Sequence, residues 1–301
     1  MKKVILFGTG KDAEKIYRKV PGVVAVIDNN KTGSWNGIPI ITLKEYIEKY
    51  RECDIFVASL RYAKEMKKQL FEYGITNYVV PDILFTDVNV NHDEDISHDN
   101  WPQYLSKLCD KEGMDVLEVG SRRVTGSVRQ YFKKADYTGF DYYPGENVDI
   151  VGDAHQLSKY FEKKYDLIYS SAVFEHLAMP WVVALEMIKL LKPNGYIFVE
   201  THYSYSSHER PWHFFQFSEN ALSVLFPEKF GIKCIKKGCS NLMKGEFLKE
   251  SSKYLQGNYV GGLYCHSEFL GQKIFENNNL SWDNVKLEDV VGATKYPLPS
   301  N

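Results

Sequence analysis

The 301-residue chain is short of several features that would classify it early. It has five cysteines, Cys53, Cys109, Cys234, Cys239 and Cys265. They are scattered, odd in number, and form neither a Cys-x-x-Cys pair nor a zinc-type Cys/His spacing. A disulfide scaffold and a structural zinc module therefore drop out, no metal is expected, and free thiols suit a reducing, cytoplasmic compartment. Charge of one sign is also missing. With 37 basic against 39 acidic residues and a formal net charge of −2, nothing calls for a nucleic-acid partner. No apolar run approaches the roughly 20 residues that cross a bilayer, so no membrane span is expected. The start, Met1-Lys2-Lys3 before Val4-Ile5-Leu6-Phe7, has the outline of a signal peptide, but its apolar run is too short and no small-residue cleavage site follows. It reads as a first β-strand.

What is present is core-forming material: 44% hydrophobic and 14% aromatic residues, enough for about two domains at this length. The strand at 4–7 runs into Gly8-Thr9-Gly10-Lys11-Asp12-Ala13, which opens a helix through Val20, and Val23–Ile27 make a second strand ending on Asp28. This G-x-G-x-x-A turn with an acid after the next strand can seat a pyrophosphate and a ribose. A strand at 54–58, a helix from about Tyr62 to Tyr73 and a short strand at Val79-Val80 follow. That predicts half of a Rossmann unit over residues 1–85, with its glycines either binding a nucleotide or serving only the tight turn. Residues 86–112 read as an acidic connector and a lead-in helix from Trp101 to Lys111, and residues 113–301 as the second domain.

That domain alternates strand and helix. Asp115-Val116-Leu117-Glu118-Val119-Gly120-Ser121 is an apolar strand with an acid near its end and a glycine turn, expected to lead into a helix through about Lys134. Asp136–Phe140 ends on Asp141, where a carboxylate at a strand's carboxyl edge can accept both hydroxyls of a ribose. Gly152-Asp153-Ala154 closes a third strand, Tyr165–Tyr169 is a fourth ending at Ser170-Ser171, and Tyr196–Glu200 a fifth after the turn at 190–195. The tail supplies strands at 231–236 and 263–273, completing seven. Between them the polar stretch 241–262 is either a lid or a surface excursion.

The progression "LEVG … FD … GDA … YDLIYSSAVFEHL … LLKPNGYIFVE" closely resembles the class I S-adenosylmethionine-dependent methyltransferases, in particular their small-molecule and glycan branch, over about residues 113–220. The front pattern "ILFGTGKDAEKIY … VIDNN … GIPIITLKEY … DIFVAS" resembles the small Rossmann-like N-terminal domains of bacterial polysaccharide-biosynthesis proteins. The resemblance implies an α/β fold: a seven-stranded Rossmann-like methyltransferase sheet preceded by a smaller half-Rossmann domain. It implies S-adenosylmethionine as cofactor, with Glu118, Gly120, Ser121 and Ser171 beside its methionine part, Asp141 on the ribose, Tyr142 against the adenine, and Asp153 with Ala154 at the adenine amino group. The family often has a second glycine within two residues of Gly120, where this chain has Ser121-Arg122-Arg123.

After the fifth strand comes Thr201-His202-Tyr203-Ser204-Tyr205-Ser206-Ser207-His208-Glu209-Arg210-Pro211-Trp212-His213. Its histidines, aromatics and arginine suit a polar pocket with aromatic walls. Methyl transfer to a hydroxyl needs alignment and proton removal, which makes His202, His208 and His213 candidates, together with His176 after the fourth strand; His176 is either a base or a loop anchor. Phe214, Phe215 and Phe217 read as packing residues, and Ser218 as the cap of a helix over 219–225. The expected activity is O-methylation of a sugar, nucleotide-sugar or surface-glycan component. The rival is a nucleotide-sugar or NAD-binding function centred on Gly8, Gly10, Ala13 and Asp28. Sequence alone leaves the oligomeric state open.

Overall fold

The computed structural model describes residues 2–123 and 126–290. The chain divides into two compact units, one holding residues up to Asn89 with Leu242–Leu263, the other Val90–Asn241 with the chain from Tyr264 onward.

The first unit is built from β1 (Val4–Phe7), α1 (Lys11–Tyr17), β2 (Val23–Ile27), β3 (Ser34–Trp35), β4 (Ile38–Ile41), α2 (Leu43–Lys49), β5 (Asp54–Val57), α3 (Ala63–Glu72) and β6 (Tyr78–Val79). Its sheet order is β3-β4-β2-β1-β5-β6. β1 lies between two parallel partners, β2 and β5, so both its faces are covered and all four residues are apolar and buried. The expected half unit is corrected here. β4 lies parallel to β2, which extends the sheet beyond the strands read from sequence and puts the change of winding direction between β1 and β5. The stretch expected to be a lid or excursion contains strand at both ends, in β12 (Ile232–Glu246) and β13 (Tyr259–Lys273). Tyr259 meets Phe85 edge-on at 5.6 Å and hydrogen-bonds Lys67, which anchors this stretch in the first unit.

The second unit continues with α4 (Trp101–Cys109), β7 (Asp115–Val119), β8 (Asp136–Asp141), β9 (Ile150–Val151), β10 (Tyr165–Ser171), α5 (Pro180–Leu190), β11 (Leu191–His202) and α6 (Glu219–Leu225). The seven-stranded order is β12-β13-β11-β10-β7-β8-β9, with β13 antiparallel to β11 and the inner strands parallel. Alternation along β7 distributes its side chains. Leu117 and Val119 join α5 and α6 in one core, and Val116 joins Leu105 of α4, Tyr169 and Phe198 in the other. Glu118 shares the Val116 face. The helix expected from Gly120 to Lys134 is not found among the described residues, where a 3₁₀ turn at Val128–Tyr131 is the helical element. No helix among the described residues is long and apolar enough to cross a membrane.

Candidate functional site

The carboxyl ends of β7, β8, β9 and β10 meet on one edge, where open α/β sheets take ligands. Gly120 leaves β7 with a φ of +91°, a left-handed conformation that glycine reaches without strain. Its amide and that of Ser121 both donate to the Phe140 carbonyl. The Ser121 side chain is buried with its hydroxyl lacking a partner. Asp141 takes backbone N–H bonds from Arg122 and Tyr143, each at 3.0 Å, and Tyr142 stands half-exposed beside it. Asp153 caps the turn that starts at Ala154, accepting from the His155 backbone at 2.9 Å and its ring at 2.7 Å. Burial pushes the Asp153 carboxyl up, but the His155 bonds outweigh it and hold it below the ordinary value. Ser171, ending β10, donates to Glu200 at 2.9 Å.

Glu118 is buried and already engaged. Tyr137 donates to it in a short bond, Tyr137 in turn contacts Tyr169, and Asn147 donates at 2.9 Å while also bonding the Ser121 carbonyl. Burial raises the Glu118 carboxyl above its ordinary range despite these bonds. Tyr137 and Asn147 were not singled out from sequence. A tyrosine inside a strand reads as packing, and Asn147, at a φ of +73°, reads as a turn.

The four histidines do converge. His176 and His208 bring their Nε2 atoms to 3.2 Å, and the His208 and His213 Nδ1 atoms are also 3.2 Å apart. The His202 ring stacks on Tyr205 at 4.7 Å and meets His208 edge-on at 5.2 Å. Beneath them lies Glu175, fully buried, whose Oε2 accepts from Thr201 at 2.6 Å. Its Oε1 lies 2.8 Å from His202 Nδ1, yet the ring N–H is not aimed at it and neither atom gains a hydrogen bond. Burial raises the Glu175 carboxyl, while His202 and Thr201 more than offset this and hold it below the ordinary value. His213 is held below the ordinary imidazole value by burial and by its histidine neighbours.

Next to this group, β13 lays His266 opposite His202 and stacks it on His98 at 3.9 Å. Glu200 accepts from His98 at 2.9 Å and from the Trp101 indole at 2.8 Å. Trp212, half-exposed, approaches Tyr142 at 6.0 Å between ring centres. His98, Glu200 and His266 come from three distant segments, so no local pattern joined them.

In the first unit, Gly8 has a φ of +117° and Ala13 is fully buried, while Gly10 caps α1 through its backbone alone. Asp28 accepts from Thr9 and from the Asn30 amide. A cleft of about 680 Å³ opens there, lined by Gly8, Asp28, Lys31, Ser59, Arg61 and Gln69 among others.

The family described as "Methyltransferase domain" matches residues 90–236, and that described as "C2185-like, N-terminal" matches residues 1–80. No curated protein matches the chain. Similar solved structures include TehB from Haemophilus influenzae, at 20% identity and a TM-score of 0.38 over 56% of this chain and 60% of that one. A SAM-dependent methyltransferase from Aquifex aeolicus is 17% identical, with a TM-score of 0.38 over 57% of this chain and 89% of that one. The N-methyltransferase NodS from Bradyrhizobium japonicum WM9, in complex with S-adenosyl-l-homocysteine, is 14% identical, with a TM-score of 0.34 over 53% of this chain and 78% of that one. The chain thus spans about three fifths of the first of these.

Proposed function

We propose that this chain is an S-adenosylmethionine-dependent methyltransferase, a reading supported by the methyltransferase-domain match over residues 90–236, and that it transfers the methyl group to a hydroxyl of a small polar acceptor, a sugar, nucleotide-sugar or surface-glycan component. The observation that carries this reading is the convergence of His176, His202, His208 and His213 over a buried carboxylate, Glu175, beyond the ends of β10 and β11. A hydroxyl acceptor must lose a proton as the new bond forms, and a group of imidazoles is a local proton acceptor. Half-exposed Tyr205, Trp212 and Phe214 stand beside it as apolar faces of the kind on which sugar rings stack.

The residues present fit the cofactor. Asp141 accepts hydrogen bonds from two backbone N–H groups, has the Arg122 guanidinium 4.0 Å away, and keeps lone pairs for a ribose. Ser121 offers a buried hydroxyl with no partner. Tyr142, half-exposed beside Asp141, would lie against the adenine, Asp153 with Ala154 stands at the third strand's end for its amino group, and Gly120 and Ser171 stand at the carboxyl ends of β7 and β10 for the methionine part. Glu118 acts through Tyr137 and Asn147, which hold it in place. When bound, the sulfonium supplies an activated methyl group; the protein aligns the acceptor and takes up its proton.

The direct test incubates the purified protein with S-adenosylmethionine and a panel of nucleotide-sugars and reducing sugars, and follows S-adenosylhomocysteine release. Turnover with an acceptor bearing a free hydroxyl, lost when that hydroxyl is absent, supports the reading. Turnover only with amine acceptors would contradict it. The 680 Å³ cleft at Gly8 and Asp28 favours a second reading, in which the first unit binds a nucleotide-sugar or NAD, because its size is that of a small-molecule site.

A further inference from the structure

We propose that Glu175, His202 and His208 bind a divalent transition-metal ion in the second unit, beside His176. This rests on the reading of the histidine group as the place where the acceptor hydroxyl is handled, and adds what holds that group together.

One donor atom from each of Glu175, His202 and His208 lies within 4.8 Å of the other two. Two features of their pairing are costly in an empty site. First, Glu175 Oε1 and His202 Nδ1 sit 2.8 Å apart with no hydrogen bond between them, and both are buried without another hydrogen-bond partner, the His176 Nε2 lying 3.9 Å from Oε1. Buried polar atoms left without a hydrogen bond are destabilising. Two electron-pair donors that approach side by side without pointing at each other are arranged as ligands of one ion.

Second, His176 Nδ1 faces the Trp212 carbonyl at 3.0 Å and His208 Nδ1 faces the Ser206 carbonyl at 2.9 Å. A carbonyl only accepts, so each Nδ1 carries the proton and each Nε2 presents a lone pair. Those lone pairs face each other at 3.2 Å, which is unfavourable unless a proton or a cation lies between them. A backbone acceptor on the far ring nitrogen is also how metal-binding imidazoles are normally oriented.

The other candidate groups in this region lack that need. Glu200 is satisfied by His98, Trp101 and Ser171, and His266 Nδ1 is paired with Asn241. A carboxylate and imidazoles, without thiolate, suit zinc, cobalt, manganese or iron rather than calcium or magnesium. Three protein ligands leave a position for a water or a hydroxyl, whose pKa the ion lowers.

The test uses the full chain after treatment with a chelator. Calorimetry with Zn²⁺ and visible absorption with Co²⁺ are measured for the wild type, His208→Ala and Glu175→Gln, with S-adenosylhomocysteine affinity measured in parallel. The proposal expects one equivalent of metal and a Co²⁺ spectrum of four- or five-coordinate type. It expects a loss of at least about tenfold in metal affinity in each variant, with S-adenosylhomocysteine affinity unchanged. His208 is partly exposed, so its variant serves if Glu175→Gln fails to fold. No stoichiometric binding of either ion, or binding unaltered in His208→Ala, overturns the proposal; a shared proton then explains the His176–His208 pair. Metal binding without S-adenosylhomocysteine binding would instead remove the methyltransferase reading and leave the metal site standing.

Discussion

Val173 closes the space in front of Gly120: a β-carbon on Gly120 would overlap Cγ2 of Val173, and the backbone there has a φ of +91°. The turn after β7 is therefore restricted to glycine twice over, by contact and by conformation. Gly120→Ala should cost about 1–3 kcal/mol from overpacking alone and should displace the turn after β10, where Val173 lies. The expected result is a lowered melting temperature together with weakened S-adenosylhomocysteine binding. Unchanged values of both would mean that this turn is more plastic than its packing implies.

Asp141 is held by two main-chain N–H groups, with the Arg122 guanidinium 4.0 Å away. In the proposed cofactor site its removal would delete charge-assisted bonds to a ribose worth about 1.5–3 kcal/mol each. Asp141→Ala should thus weaken cofactor binding at least about tenfold in calorimetry while leaving secondary structure intact by circular dichroism.

Removal of His202 or His208 should act on the chemical step. His202→Ala and His208→Ala are each expected to lower kcat by about 10²- to 10⁴-fold, the range for losing positioned acid–base chemistry, with S-adenosylhomocysteine affinity kept. Full activity in both would place proton removal elsewhere.

Stability should depend on pH through Glu268. Burial lifts its carboxyl to about 8 from an ordinary 4.5, against the opposing hydrogen bond from Ser240 and the nearby His98. The folded chain therefore keeps a proton that the unfolded chain releases, so this contribution is fully present below about pH 4.5 and is lost as pH rises towards 8. The slope is at most about 1.4 kcal/mol per pH unit. His98, raised mainly by its hydrogen bond to Glu200, adds a loss in the same direction as pH passes its folded value. Glu268→Gln should flatten the fall of melting temperature with pH and exceed the wild type above pH 8. An unchanged pH profile would contradict this account of the buried carboxyl.

Much of this was legible in the sequence because the signals are local. Apolar stretches at 115–119 and 165–169 mark buried strands, and Ser218 followed by Glu219–Leu225 marks a capped helix. The failures have physical reasons. β4 contains Pro39, which argues against a strand, yet Pro39 lies where β4 meets only the two-residue strand β3. In place of the helix expected after Gly120 the described residues hold a 3₁₀ turn at Val128–Tyr131, and Gly126 and Ser127 just before it are poor helix formers. Glu175 was visible only as the neighbour of a histidine, because its burial under His202 depends on β11 returning beside β10. The pairing of His202 with His266 needs the antiparallel register of β13, which no window along the chain contains.

The most direct measurement is calorimetric titration of the purified chain with S-adenosylhomocysteine and, separately, with NAD. The account predicts one equivalent of S-adenosylhomocysteine bound through the second unit, abolished or strongly weakened in Asp141→Ala and unaffected by Asp28→Ala. Binding of NAD alone, lost in Asp28→Ala, would contradict it and move the active site to the cleft between Gly8 and Asp28.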